Sequence, residues 1–278
     1  MTCPGKTRLT LTVTALGMGL AAGTMLAGWR PVQAFDHPTG TAIPQIENPA
    51  NSSKANLSLE DRADIFMARK SYADALDYYY RALKQPDGPG RDTATLWNKI
   101  GIAHQQEMNY NLAQKAYKEA IRSRANFPEP VNNLGTTYYM ENKFGKSVKY
   151  YLRAVQLSPD SPSFHMNLGT GYYRLKKYRE AVNEYRAALV IDPNILTEHS
   201  FSGTVMQTRG ADADFYYYLA KTFALVGRTD DAVRYLRRAF EDGFKDHKRL
   251  SQDPDFQKIS QVPAYVELMK NLPVAIQE

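Results

Sequence analysis

The 278-residue chain contains a single cysteine, Cys3. One cysteine excludes a disulfide framework and any zinc or iron–sulfur site built on cysteines. Charged residues are 23% of the chain and hydrophobic residues 43%, which excludes a collagen, a multi-pass membrane protein and a mostly disordered chain. The length allows one or two globular domains or one elongated repeat array.

The short motifs of catalysis and phosphate binding are also missing. The sequence has no Gly-x-Ser-x-Gly element, the usual setting of a serine nucleophile. Gly169-Thr170-Gly171 lies inside a predicted helix with no strand before it, so it does not predict a phosphate-binding loop. No His-x-x-x-His pair accompanies the five histidines, which argues against a metal site. We therefore predict a protein that is not an enzyme and that has no metal or cofactor.

Charge is absent from the N-terminal run between Leu9 and Gly28. A short positive segment precedes this run, and small residues spaced two apart follow it as far as Ala34. These three parts predict a secretory signal peptide over residues 1–34, cleaved after Ala34. An uncleaved membrane anchor is the alternative, because about 20 apolar residues can span a bilayer.

Removal of the predicted signal changes the charge of the chain. Residues 1–34 hold three basic residues and no acidic one, which leaves 32 basic against 29 acidic residues, a net charge of +3. This near balance weakens a nucleic-acid interpretation. We expect the protein to be exported, either periplasmic or secreted. Residues 35–56 combine turn-forming residues with few apolar ones, which predicts a flexible linker.

A period of 34 residues dominates the middle of the chain. Leu-Gly or Ile-Gly pairs and tyrosines recur at this spacing, as at Gly101, Gly135 and Gly169. A degenerate copy precedes these three copies, and a further one follows an insertion at 196–212. The predicted repeats span about 56–89, 94–127, 128–161, 162–195 and 213–246.

Each repeat is predicted to form two helices. In the third repeat, Leu134 and Tyr138 belong to one apolar stripe at helical spacing, and a second stripe follows a short turn. Small residues such as Gly135 and Ala154 are expected where the helices approach closest, because they leave room for a large tyrosine opposite. Ser58 with Asp61 three residues later predicts a capping box at the start of the first helix.

The spaced residues resemble the tetratricopeptide repeat. The fourth repeat carries the pattern most fully, with His165, Leu168-Gly169, Tyr172, Ala181, Tyr185, Ala188 and Pro193. The resemblance implies an all-α solenoid, a right-handed superhelix of helix–turn–helix repeats. We expect residues 247–278 to form a C-terminal cap of two short helices over the last repeat.

The resemblance also implies a concave groove, lined by the first helix of each repeat, that holds a peptide or a partner helix. Asn133 and Asn167 occupy equivalent points there, where a ladder of amides can pair with a guest backbone; simple solvation of both is the alternative, and Lys99 interrupts the ladder. The predicted groove residues are Asn98, Asn132, Asn133, Thr136, Tyr139, Asn167, Thr170, Tyr173, Tyr217 and Lys221, with Gln105 beside them.

Two further surfaces bear on partner choice. Some family members clamp a C-terminal carboxylate with lysine, asparagine and arginine, but the corresponding positions here hold Glu60 and Asp64, so we predict no binding of chaperone tails. Lys146, Lys149 and Arg153 line up on the second helix of the third repeat. We interpret them as a solvated convex face, with contact to an anionic surface of the cell envelope as the alternative.

The sequence thus predicts a non-catalytic scaffold that binds a protein or peptide ligand in the groove. By analogy, we expect it to act in the assembly or maturation of bacterial envelope complexes. The insertion at 196–212 is expected to fold over one edge of the groove. The alternatives are a helical-repeat protein that binds nucleic acid, or an enzyme accessory subunit.

Overall fold

The computed structural model describes residues 57–86, 92–195 and 212–272, and all regular secondary structure in those ranges is helical. The first ten helices form five antiparallel pairs, and three short helices follow. The pairs are α1 (Leu59–Ala68) with α2 (Tyr72–Lys84), α3 (Thr93–Gln106) with α4 (Tyr110–Ser123), α5 (Pro128–Met140) with α6 (Phe144–Leu157), α7 (Pro162–Arg174) with α8 (Tyr178–Ile191), and α9 (Ala213–Leu225) with α10 (Thr229–Glu241); the short helices are α11 (His247–Gln252), α12 (Pro254–Gln257) and α13 (Pro263–Lys270).

Helix starts follow local chemistry. At the start of α1 the backbone N–H of Asp61 donates to Ser58 Oγ at 3.0 Å, and the N–H of Ser58 donates to the Asp61 carboxylate at 3.1 Å. This is the predicted capping box. Helices α5 and α7 begin with Pro128 and Pro162, where the missing N–H costs nothing because that group has no partner inside the helix.

The turn inside each pair repeats one backbone conformation. Asn142, between α5 and α6, has a φ of 61°; its N–H donates to the Tyr139 carbonyl, and the N–H of Lys143 donates to the Tyr138 carbonyl, both at 2.9 Å. This Schellman arrangement satisfies the last carbonyls of the helix. The left-handed position is filled in the five pairs by Lys70, Met108, Asn142, Lys176 and Gly227.

A glycine–tyrosine contact joins the two helices of each central pair. A Cβ placed on Gly101, Gly135 or Gly169 would lie 2.4–2.7 Å from the ring of Tyr117, Tyr151 or Tyr185, respectively. All three rings are fully buried. The prediction that small residues leave room for tyrosine is confirmed, because no side chain larger than hydrogen fits at these glycines without moving a ring.

The pairs stack in chain order, as a solenoid requires. Each second helix packs against the first helix of its own pair and against the first helix of the next pair. Successive first helices also contact each other, as α3 contacts α5 and α5 contacts α7. The predicted all-α solenoid is therefore confirmed. The C-terminal segment packs on the last pair through α12 against α9 and α13 against α10, with three short helices rather than the two expected.

Several sequence predictions concern residues outside the described ranges. These are the signal peptide at 1–34, the linker at 35–56 and residues 196–211 of the insertion. Within the described residues, no helix combines the length and the apolar character that a membrane span requires.

Candidate peptide-binding surface

The predicted groove residues lie on α3, α5, α7 and α9, the first helices of the second to fifth pairs. The structure divides them by exposure. Asn133, Thr136, Lys221 and Gln105 are half-buried. The side chains of the others are buried, namely Asn98, Asn132, Tyr139, Asn167, Thr170, Tyr173 and Tyr217.

The asparagines form a chain of amides across three repeats. Asn133 Nδ2 donates to Asn98 Oδ1 at 3.1 Å, and Asn167 Nδ2 donates to Asn132 Oδ1 at 2.9 Å. A longer contact of 3.4 Å joins Asn132 Nδ2 to Asn133 Oδ1. A buried amide needs such partners, and Asn167 is 0% exposed. These side chains therefore link neighbouring first helices.

This arrangement differs from the open ladder that the sequence predicted. Asn133 and Asn167 occupy equivalent positions, but Asn133 is half-buried and Asn167 is fully buried. The physical reason is that successive first helices touch, so that an amide on one helix reaches the amide on the next. Of the two, Asn133 is the one whose side chain retains an exposed part.

The threonines serve as hydrogen-bond partners for the buried tyrosines. Tyr151 Oη donates to Thr136 Oγ1 at 3.1 Å, and Tyr185 Oη contacts Thr170 Oγ1 at 3.5 Å in the next repeat. Burial raises the pKa of both phenols far above the ordinary value. The tyrosines are thus neutral. Each hydroxyl links the second helix of its pair to a threonine on the first helix.

A charged cluster closes the N-terminal end of this surface. Lys99 Nζ donates to Glu60 Oε1 and to Asp64 Oδ2, each at 2.7 Å, and Tyr79 Oη donates to Asp64 Oδ1 at 2.6 Å. Burial opposes the charge of Lys99, but the two hydrogen bonds raise its pKa overall. The sequence did not predict this cluster, although two acids one helical turn apart, Glu60 and Asp64, were a usable signal.

A second charged cluster closes the C-terminal end, and it comes from the cap. Asp253, at the start of α12, accepts hydrogen bonds from Tyr217 Oη at 2.7 Å and from Lys221 Nζ at 2.6 Å. Lys221 Nζ also lies 3.2 Å from Asp255 Oδ2. Tyr217 and Lys221 were predicted to face a ligand, but the structure pairs them with the cap, because the chain returns over α9 after the last repeat.

The cap adds a cation to the same place. The guanidinium of Arg249 lies 4.1 Å from the centre of the Tyr217 ring and 4.8 Å from that of Tyr218, and it pairs with Asp214 at 2.9 Å. A stacked cation of this kind covers the ring face. What remains accessible between the two clusters is the central part of the surface, around Gln105, Asn133 and Thr136.

Two histidines of the repeats, His104 and His165, have structural partners. His104 Nε2 lies 2.9 Å from Tyr80 Oη, and burial lowers the pKa of His104. His165 places Nδ1 2.6 Å from Glu184 Oε2 and Nε2 2.9 Å from the Pro159 carbonyl; the hydrogen bond to Glu184 raises its pKa. Among the described residues, no group of three or more metal-binding side chains comes together.

Fold and surface together define a helical-repeat protein of the solenoid class. Tetratricopeptide-repeat family profiles match residues 94–127, 137–176 and 162–195. The chain therefore carries tetratricopeptide repeats. No curated protein matches the sequence.

The comparison with solved structures gives partial matches. A crystal structure of MamA is 18% identical, with a TM-score of 0.46, and the match covers 65% of this chain and 93% of MamA. YrrB, described as a TPR protein with an unusual peptide-binding site, is 20% identical with a TM-score of 0.44 over 68% of this chain and 87% of YrrB. The first TPR of Spaghetti (RPAP3), bound to the HSP90 peptide SRMEEVD, is 22% identical with a TM-score of 0.36 over 38% of this chain and 86% of that one.

Proposed function

We propose that the protein is a non-catalytic scaffold that holds a peptide or a partner protein on the surface of its first helices. The observation that carries this proposal is the set of tetratricopeptide repeats in tandem register, matched over 94–127 and 137–195. Stacked repeats of this type form extended surfaces suited to binding other proteins.

The central part of the surface, around Gln105, Asn133 and Thr136, is the proposed contact. Polar side chains of this kind offer donors and acceptors to a guest backbone. Their geometry is held in advance, because the amide chain and the tyrosine–threonine bonds lock the helices that carry them. A prepared surface loses less entropy when it binds.

The charge of this surface favours a protein partner over nucleic acid. Lys99 and Lys221, the basic groove residues discussed above, are each paired with two carboxylates. Nucleic-acid binding depends on cations that are free to meet phosphates. A steep dependence of binding on salt concentration would favour the nucleic-acid alternative.

We further propose that the scaffold acts in the bacterial cell envelope, in the assembly or maturation of complexes there. The support for this setting is the N-terminal sequence pattern, a positive segment, an apolar run and a small-residue site ending at Ala34. Such a pattern directs export. Cell fractionation with N-terminal sequencing of the mature chain tests it, and recovery of an uncut chain in the cytoplasm would refute it.

The contact is tested by crosslinked capture of partners from the protein's own compartment. We expect Gln105→Ala/Asn133→Ala to lose a partner that the wild-type chain captures. The control is Asn183→Ala/Gln156→Ala, which removes the same two amide groups from exposed positions on the second helices α8 and α6. If both variants capture the partner as well as the wild type does, the proposed contact is wrong.

A further inference from the structure

The exposed side of two second helices carries a concentration of positive charge. On each helix three cations occur at positions i, i+3 and i+7, which places them on one face. Lys115 and Lys149 are 34 residues apart and so hold equivalent positions in successive repeats; the two faces therefore point to the same side of the array. We call this set the basic stripe: Lys115, Lys118 and Arg122 on α4, and Lys146, Lys149 and Arg153 on α6.

Most of this charge is not neutralised by neighbours. Glu119 is the single acidic residue in the sequences of α4 and α6, and it pairs with Arg122 at 2.6 Å. Lys115, Lys118 and Lys149 are exposed and make no ion pair or hydrogen bond within the described part of the chain. The stripe therefore presents uncompensated positive charge to the surroundings.

The repeat fold does not require this charge. The corresponding positions of α2 and α8 carry equal numbers of acidic and basic residues, namely Asp74, Asp77, Arg81 and Lys84 on α2 and Glu180 and Arg186 on α8. These two helices also pack against the first helices of their own pairs. On α10 the corresponding positions hold Arg234, Arg237 and Arg238 against Asp231 and Glu241, an excess of one basic residue. The excess is larger on α4 and α6, at two and three basic residues, which indicates a surface with its own partner.

Two leucines lie next to the basic stripe, one on α4 and one on α6. Leu112 holds the position on α4 that Lys146 holds on α6, and Leu152 corresponds in the same way to Lys118. Leu112 is 44% exposed and Leu152 is 40% exposed, so burial inside the repeat accounts for only part of each side chain. Helical faces that combine lysine and arginine with leucine suit the interface between lipid headgroups and acyl chains.

We propose that the basic stripe docks on the surface of a membrane that contains anionic lipids. Four of its six cations are lysines, which are depleted in protein–protein interfaces but are attracted to anionic lipid surfaces. The aromatic ring beside the stripe, Tyr138, lies 5.6 Å from Lys146 Nζ, is buried and stacks on Tyr150, whereas sites for single-stranded nucleic acid use accessible aromatic rings to stack bases. The stripe lies on different helices from the proposed peptide contact, so both surfaces can be occupied together.

The test is a vesicle-binding assay with the full chain. One set of vesicles contains phosphatidylglycerol and phosphatidylcholine in equal parts, and the other contains phosphatidylcholine alone. We expect the variant Lys115→Gln/Lys118→Gln/Lys149→Gln to bind the anionic vesicles about 100-fold more weakly than the wild type, at roughly fivefold per cation. Affinity that comes from the N-terminal apolar run is shared by all variants and is measured with the neutral vesicles.

The matched control is Lys84→Gln/Arg179→Gln/Arg186→Gln. It removes the same charge from exposed positions on α2 and α8, and we expect its affinity for anionic vesicles to stay within about threefold of the wild type. We expect Leu112→Ser/Leu152→Ser to weaken binding by about tenfold, because the leucines lose apolar burial. Circular dichroism confirms that each variant keeps its helices.

Two results would overturn the proposal. One is an equal loss of vesicle affinity in the stripe variant and in the control, because general charge rather than the stripe would then govern binding. The other is a wild-type chain that binds polyglutamate or single-stranded DNA and ignores anionic vesicles, because the partner would then be a different class of macromolecule.

Discussion

The central pairs and the last pair solve the same packing problem with different residues. In the centre, a glycine faces a buried tyrosine, as Gly169 faces Tyr185. In the last pair the equivalent positions hold Ala220 and Leu236, both 0% exposed. One added methyl group is matched by a side chain without a ring. The first pair differs again, since Ala63 and Tyr79 hold these positions and are also buried. The close approach of two helices is therefore not tied to one pair of residue types.

The two regions also differ in how they satisfy polar groups on the first helices. The centre uses neutral amides and hydroxyls, such as Asn132 with Asn167. The end uses charge, with Lys221 held by Asp253 and Asp255 from the cap. In the centre, the next repeat provides the hydrogen-bonding partner of a polar side chain. The end of an array has no next repeat, so another segment must provide that partner.

The largest effect is expected from a methyl group placed in the centre. Gly169→Ala should lower the free energy of unfolding by about 3 kcal/mol, because its Cβ would overlap the buried Tyr185 ring and overpacking forces rings from their positions. Chemical denaturation measures this change. Adding Tyr185→Leu, which copies the last pair, should recover part of the loss.

A matched glycine provides the control. Gly145 has no neighbouring atom within 4 Å of an added Cβ, so Gly145→Ala should leave stability unchanged or raise it by up to about 1 kcal/mol. Equal destabilisation at Gly145 and Gly169 would refute the ring contact as the cause.

A smaller loss is expected at the cap. Asp253→Asn should cost about 2 kcal/mol, because it removes the carboxylate that Lys221 and Tyr217 share in a buried site. Hydrogen exchange should rise in α11–α13 and remain unchanged in α5–α7. Asp77→Asn, which breaks an exposed pair with Arg81, should change stability by less than about 1 kcal/mol; exchange that rises equally throughout the chain would contradict a local role for Asp253.

Acid pH should lower the stability of the cap more than that of the central pairs. Burial tends to raise the pKa of Asp255, but hydrogen bonds from Lys258 and Lys221 lower it overall. A carboxyl with a lowered pKa contributes stability above its unfolded value of about 3.9, and this contribution is lost as the pH falls through the folded value. The protection factors of the cap amides, in which exchange is corrected for its intrinsic slowing in acid, should therefore fall at acid pH, and Asp255→Asn should reduce that pH dependence. An identical pH dependence in the variant would rule out Asp255 as the group responsible.

The smallest effect concerns the turns. Met108 adopts the left-handed conformation with a φ of 59°, where the last pair uses Gly227. Its side chain is 73% exposed, so Met108→Gly should relieve backbone strain, and the greater entropy of the unfolded glycine chain reduces the gain to about 0.5 kcal/mol. Gly227→Ala should have the opposite sign. Thermal unfolding measures both, and a loss of stability in Met108→Gly would contradict the strain.

Parts of the fold and of the site followed from the sequence for identifiable reasons. The 34-residue spacing of Gly135 and Tyr151 with their counterparts predicted the helix pairs, because contacts within a pair join nearby segments at constant separation. The left-handed turns were not predicted, since lysine and methionine at Lys70, Met108 and Lys176 do not favour that conformation. Neighbouring helices impose it.

The candidate site was less predictable. The sequence placed Asn133 and Asn167 at equivalent points, but their exposure depends on how closely one repeat approaches the next. Tyr217 and Lys221 were expected in an open groove, yet the returning cap brings Asp253 onto them. A contact across 32 or 36 residues outside the repeat register leaves no periodic signal.

The sequence alone determined that this chain forms stacked helix pairs, because the spacing of small and aromatic side chains has one compact solution. The tertiary structure decided which polar groups on the first helices stay accessible. That outcome depends on distances between repeats and on the path of the C-terminal segment, which are properties of the packed chain. The local sequence pattern determines where the helices lie in the chain, and long-range packing determines which side chains are accessible to a partner.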